Sequence, residues 1–275
     1  MRRRLALRRA AMATILIAAI WLIAVKGGGW QQSYPHFTYL SGWGLFGLML
    51  ILTAYNGRKK LPFIPLLSSR LWLQVHLYLG LFTGVVFLLH LRWSWPSGWF
   101  EAALAFLFST VTGSGIVGWW LSRALPPRLT TVGGEVPYDR IPEVVRALRE
   151  DAERVALGAI PAARTTTLSD FYASRLAGFF AAPANFTAHL RGSRRPLNRM
   201  LAQIGEVRRF VNSEEGKSLD QLADLVRSKD AVDLQRSLQL VLKGWLFVHI
   251  PLTYSLLLAS VAHIVVVYAF SGGAR

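Results

Sequence analysis

The chain contains no cysteine. That excludes disulfides, thiolate-ligated iron–sulfur clusters and covalently attached c-type haem, which needs Cys-x-x-Cys-His. Any redox cofactor must be held by histidine or without a covalent link. Charge is scarce too: Asp, Glu, Lys and Arg make up 17% of 275 residues, and 15 acidic residues face 31 basic ones. A net charge of +16 raises the question of nucleic acid. No basic stripe interleaved with exposed aromatics forms a recognisable module, so nucleic acid is not expected as a partner. In a chain that is 53% hydrophobic with mean hydropathy +0.35, basic residues first report membrane topology and lipid contact.

The apolar residues gather in runs that suit a hydrocarbon core of about 30 Å. Five spans are expected: Ala10–Val25 behind the basic start MRRRLALRR, then Phe37–Tyr55, Leu71–Leu91, Trp99–Leu121 and Gly244–Phe270. The first also has the make-up of a secretory signal, but only Lys26-Gly-Gly-Gly-Trp30 follows it. Without a small-x-small cleavage site it reads as an uncleaved anchor. Arg2, Arg3, Arg4, Arg8, Arg9, Arg58, Lys59, Lys60 and Arg70 fall on one side of these spans, against Lys26, Arg92 and Arg275 on the other. The bias places the N-terminus in the cytoplasm and the C-terminus in the periplasm of a bacterial inner membrane. Trp93, Trp95 and Trp99 read as the aromatic belt of the outer surface.

The fold class expected is an all-α integral membrane protein, a five-span helical bundle with a mainly helical soluble insert between spans four and five. Residues 1–121 hold spans one to four, residues 122–242 the cytoplasmic insert, and residues 243–275 the fifth span and a short outer tail. The insert opens on Pro126-Pro127 and a turn-rich stretch through Gly133-Gly134. Helical patterns follow at Pro142–Leu157, Leu168–Phe180 and Leu197–Val211. Another starts at Ser218, and Asp230 reads as the N-cap of a helix entering the fifth span. The insert has no phosphate loop, and Arg191–Arg195 reads as solvated surface or a contact to anionic lipid.

Four histidines stand inside apolar spans, as two pairs with one spacing: His76 and His90, His249 and His263. Fourteen residues of α-helix rise about 21 Å and return to within about 40° of the starting face. Histidine within a span needs a partner, a cavity or a ligand. The third and fifth spans both run from inside to outside, so His76 comes level with His249 and His90 with His263. Neutral imidazole is a common axial ligand of haem iron. The pattern therefore predicts two bis-histidine haem b groups, an inner one on His76 and His249 and an outer one on His90 and His263, about 20 Å apart.

Smaller features are read around that pair of sites. Gly80 and Gly84 lie near the face joining His76 to His90, with Thr83 midway, and give a flat macrocycle room to approach; ordinary close helix packing is the plain alternative. Arg70 and Lys243 are placed to meet the propionates of an inner haem and Arg92 those of an outer one, unless all three are simple interfacial anchors. Pro251 is expected to kink the fifth helix just beyond His249. Gly113-Ser-Gly115-Ile-Val-Gly118 matches a dinucleotide fingerprint but follows no strand, so it reads as close packing against a helix or a porphyrin. His36 and His189 have no spaced partner and read as structural or surface residues, His36 lying where an outer haem edge or a quinone would pass.

On these residues the chain resembles the di-haem membrane cytochromes b, above all the ferric-reductase-like transmembrane domain. In that family the third and fifth spans carry paired histidines, as His76/His90 and His249/His263 do here; the cytochrome b of quinol:cytochrome c reductases uses a similar spacing. The resemblance covers the membrane part and not residues 122–242. It implies a subunit that carries electrons across the membrane. A cytoplasmic flavin or iron–sulfur protein, a periplasmic c-type cytochrome or a quinone would serve as donor and acceptor. Two other readings predict different behaviour: a terminal reductase of ferric chelates or oxygen at the outer haem, and a colourless membrane scaffold whose histidines only form hydrogen bonds.

Overall fold

A computed structural model describes residues 12–22, 25, 26, 29, 36–57, 69–125, 136–163 and 167–271. It is all-helical, with no strand among the described residues. The chain divides into two compact units, one of Met1–Trp120 with Trp245–Arg275 and one of Leu121–Gly244.

The first unit contains α1 (Met12–Leu22), α2 (Phe37–Gly57), α3 (Ser69–His90), most of α4 (Trp99–Ala124) and the C-terminal part of a long helix whose full extent is Ser213–Ser271. Four helices are long and apolar enough to cross a membrane: those at Phe37–Tyr55, Leu71–His90, Trp99–Ala124 and Glu215–Phe270. In the last of these the stretch free of charged residues begins after Lys243. Helix α1 is shorter, and its 11 residues rise about 16 Å, roughly half a hydrocarbon core. The basic residues at 2–9 and 58–60 used to assign orientation lie outside the described residues, as do Arg275, Pro126-Pro127 and Gly133-Gly134.

In hydrocarbon only a helix or a closed barrel satisfies every backbone N–H and C=O. These helices accordingly turn large apolar side chains outward, among them Leu40, Phe106, Trp120, Phe247 and Leu258. Trp93, Trp95 and Trp99 are all more than half exposed. Inside, Leu45, Met49, Phe87, Ala105, Phe108 and Leu256 form one buried cluster, and the rings of Phe87 and Phe108 stack at 3.9 Å. After His90 the chain reverses through Arg92 and Trp93, both left-handed at φ 54° and 59°.

The second unit packs α5 (Ile141–Ala163), α6 (Thr167–Phe171), α7 (Ala177–Ala181), α8 (Phe186–Arg191), α9 (Arg195–Val207) and the N-terminal part of α10 (Ser213–Ser271). Between α6 and α7 the helix widens into one π-turn, Tyr172–Leu176. Ala152, Leu168, Leu176, Phe180, Leu222 and Val226 are at the centre of its core. Burial and the carboxylate of Glu153 push the Tyr172 phenol above its ordinary pKa.

Two expected boundaries differ. Helix α10 begins at Ser213, capped by a reciprocal pair in which the Glu215 N–H donates to Asn212 Oδ1 (2.9 Å) and the Asn212 N–H to Glu215 Oε2 (3.2 Å). Ser218 and Asp230 lie inside it, and Asp230 is not an N-cap: its carboxylate stands 3.6 Å from buried His189. Pro251 lies inside this same element.

Candidate cofactor-binding site

Helix α3 carries His76 and His90 and α10 carries His249 and His263. The structure brings His76 within electrostatic reach of His249, and His90 within reach of His263. That order of pairing requires the two segments to run in the same direction. With 14 residues between histidines on each helix, it sets the pairs at two depths about 21 Å apart along the axis.

At the first pair the ring of His76 lies 5.0 Å from that of Tyr55, and its Nδ1 is buried with no hydrogen-bond partner. His249 stacks on Trp245 at 5.1 Å, with Nδ1 3.2 Å from Ser114 Oγ on α4. The Trp245 indole N–H donates to the Ser114 carbonyl (2.8 Å) and reaches its Oγ (3.2 Å). Small residues permit this approach. A Cβ on Gly115 would lie 3.9 Å from His249 Cε1, and one on Gly118 would collide with the Trp245 ring.

At the second pair His90 Nδ1 lies 3.1 Å from Ser41 Oγ on α2. A Cβ on Gly42 would lie 3.1 Å from His90 Cε1. His263 has a buried Nδ1 without a hydrogen-bond partner and a ring 6.2 Å from that of Phe100. Both histidines line a cavity of about 470 Å³, whose wall includes Gly42, Phe87, Arg92 and Glu101. That volume falls in the usual range for a small-molecule or cofactor site. Arg92 donates to Thr38 Oγ1 at 3.0 Å. Glu101 is the sole acidic residue in 1–120 and 245–275, so this cavity holds the one carboxylate of the unit.

The remaining predicted residues divide. Beside Gly80 an added Cβ would meet nothing within 4 Å, which leaves open space between the two depths. Gly84 packs on α4, with Thr112 Cγ2 3.8 Å from such a Cβ. Thr83 is buried and donates to the carbonyl of Leu79 on its own helix (2.7 Å). Arg70 stands in the first turn of α3, with its side chain outside the described part. Lys243 belongs to the other unit, where Nζ is 3.5 Å from Asp139 and 3.8 Å from the Tyr138 ring centroid. Ser41, Gly42, Tyr55 and Trp245 were not singled out by sequence, whereas Ser114 lies within the Gly113–Gly118 run read there as close packing. The signal available was a serine followed by glycine in the middle of an apolar helix, twice.

Each pair offers two imidazoles, the number of protein ligands that a bis-histidine haem takes, and Nδ1 of His76 and of His263 is buried without a hydrogen-bond partner. No protein-family model, curated protein or solved structure matches the chain. Its function is therefore read from residues and geometry.

Proposed function

We propose that this protein is a di-haem b-type cytochrome subunit, of the kind it resembles in sequence, that carries electrons across a bacterial inner membrane. One observation supports the reading: four histidines with a repeated 14-residue spacing come within electrostatic reach of one another as the pairs His76/His249 and His90/His263. Two unrelated hydrogen-bonding histidines would give one pair at most. In this reading α1 completes a five-span bundle, the N-terminus is cytoplasmic and the C-terminus periplasmic.

Bound between each pair, haem b would supply an iron that takes up and gives up one electron. His76 and His249 would hold the inner group, and His90 and His263 the outer one. Phe87, Phe108 and Leu256, buried in one apolar cluster, would give the outer group apolar walls. Arg92, on the cavity wall, sets a positive charge where anionic propionates would lie. Donor and acceptor are proposed to be a cytoplasmic flavin or iron–sulfur protein, a periplasmic c-type cytochrome or a quinone.

The test is a reduced-minus-oxidised spectrum of the purified chain with a pyridine haemochrome count. Two b haems per chain are expected, falling to one in His90→Ala or His263→Ala and, separately, in His76→Ala or His249→Ala. A folded, colourless protein would sink the proposal.

A further inference from the structure

The same dipeptide stands against one histidine of each pair. On α2, Ser41 Oγ contacts His90 Nδ1 at 3.1 Å while Gly42 faces His90 Cε1. On α4, Ser114 Oγ contacts His249 Nδ1 at 3.2 Å while Gly115 faces His249 Cε1. We infer that Ser41-Gly42 and Ser114-Gly115 are two copies of one cradle, in which serine holds the imidazole Nδ1 and the glycine beside it lies against the ring edge, so that Nε2 is left as the ligating atom. This rests on the haem reading above and assigns four positioning residues to it.

The proton count supports the tautomer at Ser41. A hydroxyl has one proton and two acceptor lone pairs, and Ser41 donates its proton to the carbonyl of Thr38 at 3.0 Å. In the 3.1 Å contact the serine oxygen is therefore the acceptor and His90 Nδ1–H the donor. A neutral imidazole with its hydrogen on Nδ1 keeps its lone pair on Nε2, the atom free to bind iron. At Ser114 the oxygen receives the Trp245 indole N–H and lies 3.2 Å from His249 Nδ1. Partners that hold the far nitrogen of a ligating histidine fix its ring plane and raise its basicity.

The glycines complete the cradle by distance. A Cβ at position 42 would sit 3.1 Å from His90 Cε1, tighter than ordinary contact, whereas one at 115 would sit 3.9 Å from His249 Cε1, an ordinary contact, so only the first cradle demands glycine. Each cradle comes from a helix that supplies no ligand. Helix α2 serves His90 and α4 serves His249, leaving His76 and His263 with no hydrogen bond at Nδ1.

The experiment compares the full-length chain with Ser41→Ala, Ser114→Ala and the hydroxyl-retaining Ser41→Thr and Ser114→Thr. Ser109→Ala, whose hydroxyl bonds only Ala105 on its own helix, serves as control. Haem count, rate of haem release and the midpoint potential of each haem are measured. Each alanine variant should weaken haem retention about tenfold or more at its own site only. Ser41→Ala should act on the haem lost in His263→Ala, and Ser114→Ala on the other. A ligand made less basic favours ferrous iron, so the affected potential should rise, and a tenfold change in preference is about 59 mV for one electron. Threonine should restore both values. If an alanine variant does not fold, cysteine at the same position carries the comparison, being similar in size with a weak acceptor. A two-haem parent whose serine variants match it in release and potential overturns the cradle alone; a folded parent without haem overturns the haem reading itself.

Discussion

Gly42 and His90 face each other across α2 and α3 so closely that a methyl group on the glycine would lie 3.1 Å from the imidazole Cε1. A larger side chain must displace the ring or part the helices. Gly44 and Gly47 on the same helix have nothing within 4 Å of an added Cβ. Gly42→Val is therefore expected to reduce haem at the His90/His263 pair while Gly44→Val and Gly47→Val retain two haems per chain. Pyridine haemochrome assay of the three variants decides it, and equal haem content in all three would contradict the contact.

A second close approach ties α4 to α10. A Cβ on Gly118 would overlap the Trp245 ring, whose N–H is held by Ser114. Gly118→Ala should destabilise the protein by about 1–3 kcal/mol, as overpacking does. Trp245→Phe shortens the ring, so the double variant should lose less than the sum of the two single changes. Thermal unfolding in detergent across this cycle measures the coupling; strict additivity would mean that the two residues do not meet.

The histidine pattern was legible because an α-helix repeats its face and the spacing repeats twice. The apolar spans of α2, α3 and α4 were legible for a similar reason, since lipid demands long uninterrupted helices. The partners of the histidines were not. Whether Ser41 bonds its own helix or a neighbour depends on which faces pack together, and periodicity within one helix does not contain that. Asp230 looks like a helix start because aspartate is a good N-cap; its carboxylate instead meets His189, which comes from α8. Helix α8 itself, Phe186–Arg191, is too short for a period to show in sequence.

The cap of α10 gives a smaller effect with a definite sign. Asn212→Ala removes the side-chain acceptor for the Glu215 N–H, and loss of such a cap costs about 1 kcal/mol. Glu215→Gln keeps an oxygen for the Asn212 N–H and should cost less. Limited proteolysis near residue 212 reads the difference. Equal cleavage of both variants and the parent would mean that the reciprocal bonds add nothing to this helix start.

The largest stability effect is expected at Lys229 and Asp233. In sequence they are an i, i+4 pair on a polar stretch, the pattern of a solvated surface bridge worth a few tenths of a kcal/mol. In the fold both are almost fully buried, 2.5 Å apart. The ammonium also donates to the Ala182 carbonyl (2.8 Å) and lies 4.7 Å from the Phe179 ring centroid, while the Asp233 carboxylate accepts from the Ala184 N–H (3.0 Å). Three groups, the Ala182 carbonyl, the Phe179 ring and the Ala184 N–H, therefore depend on one pair. Desolvation holds the Lys229 pKa below its ordinary value despite Asp233, so removing the carboxylate leaves a buried amine with one carbonyl. Asp233→Ala should cost about 3–5 kcal/mol, whereas Lys229→Met with Asp233→Leu, which removes both charges and keeps the volume, should recover much of that loss. Proteolytic susceptibility and thermal melting of the full-length variants test this. A double variant no more stable than Asp233→Ala would mean that the backbone bonds to Ala182 and Ala184, and not the buried charge, set the penalty.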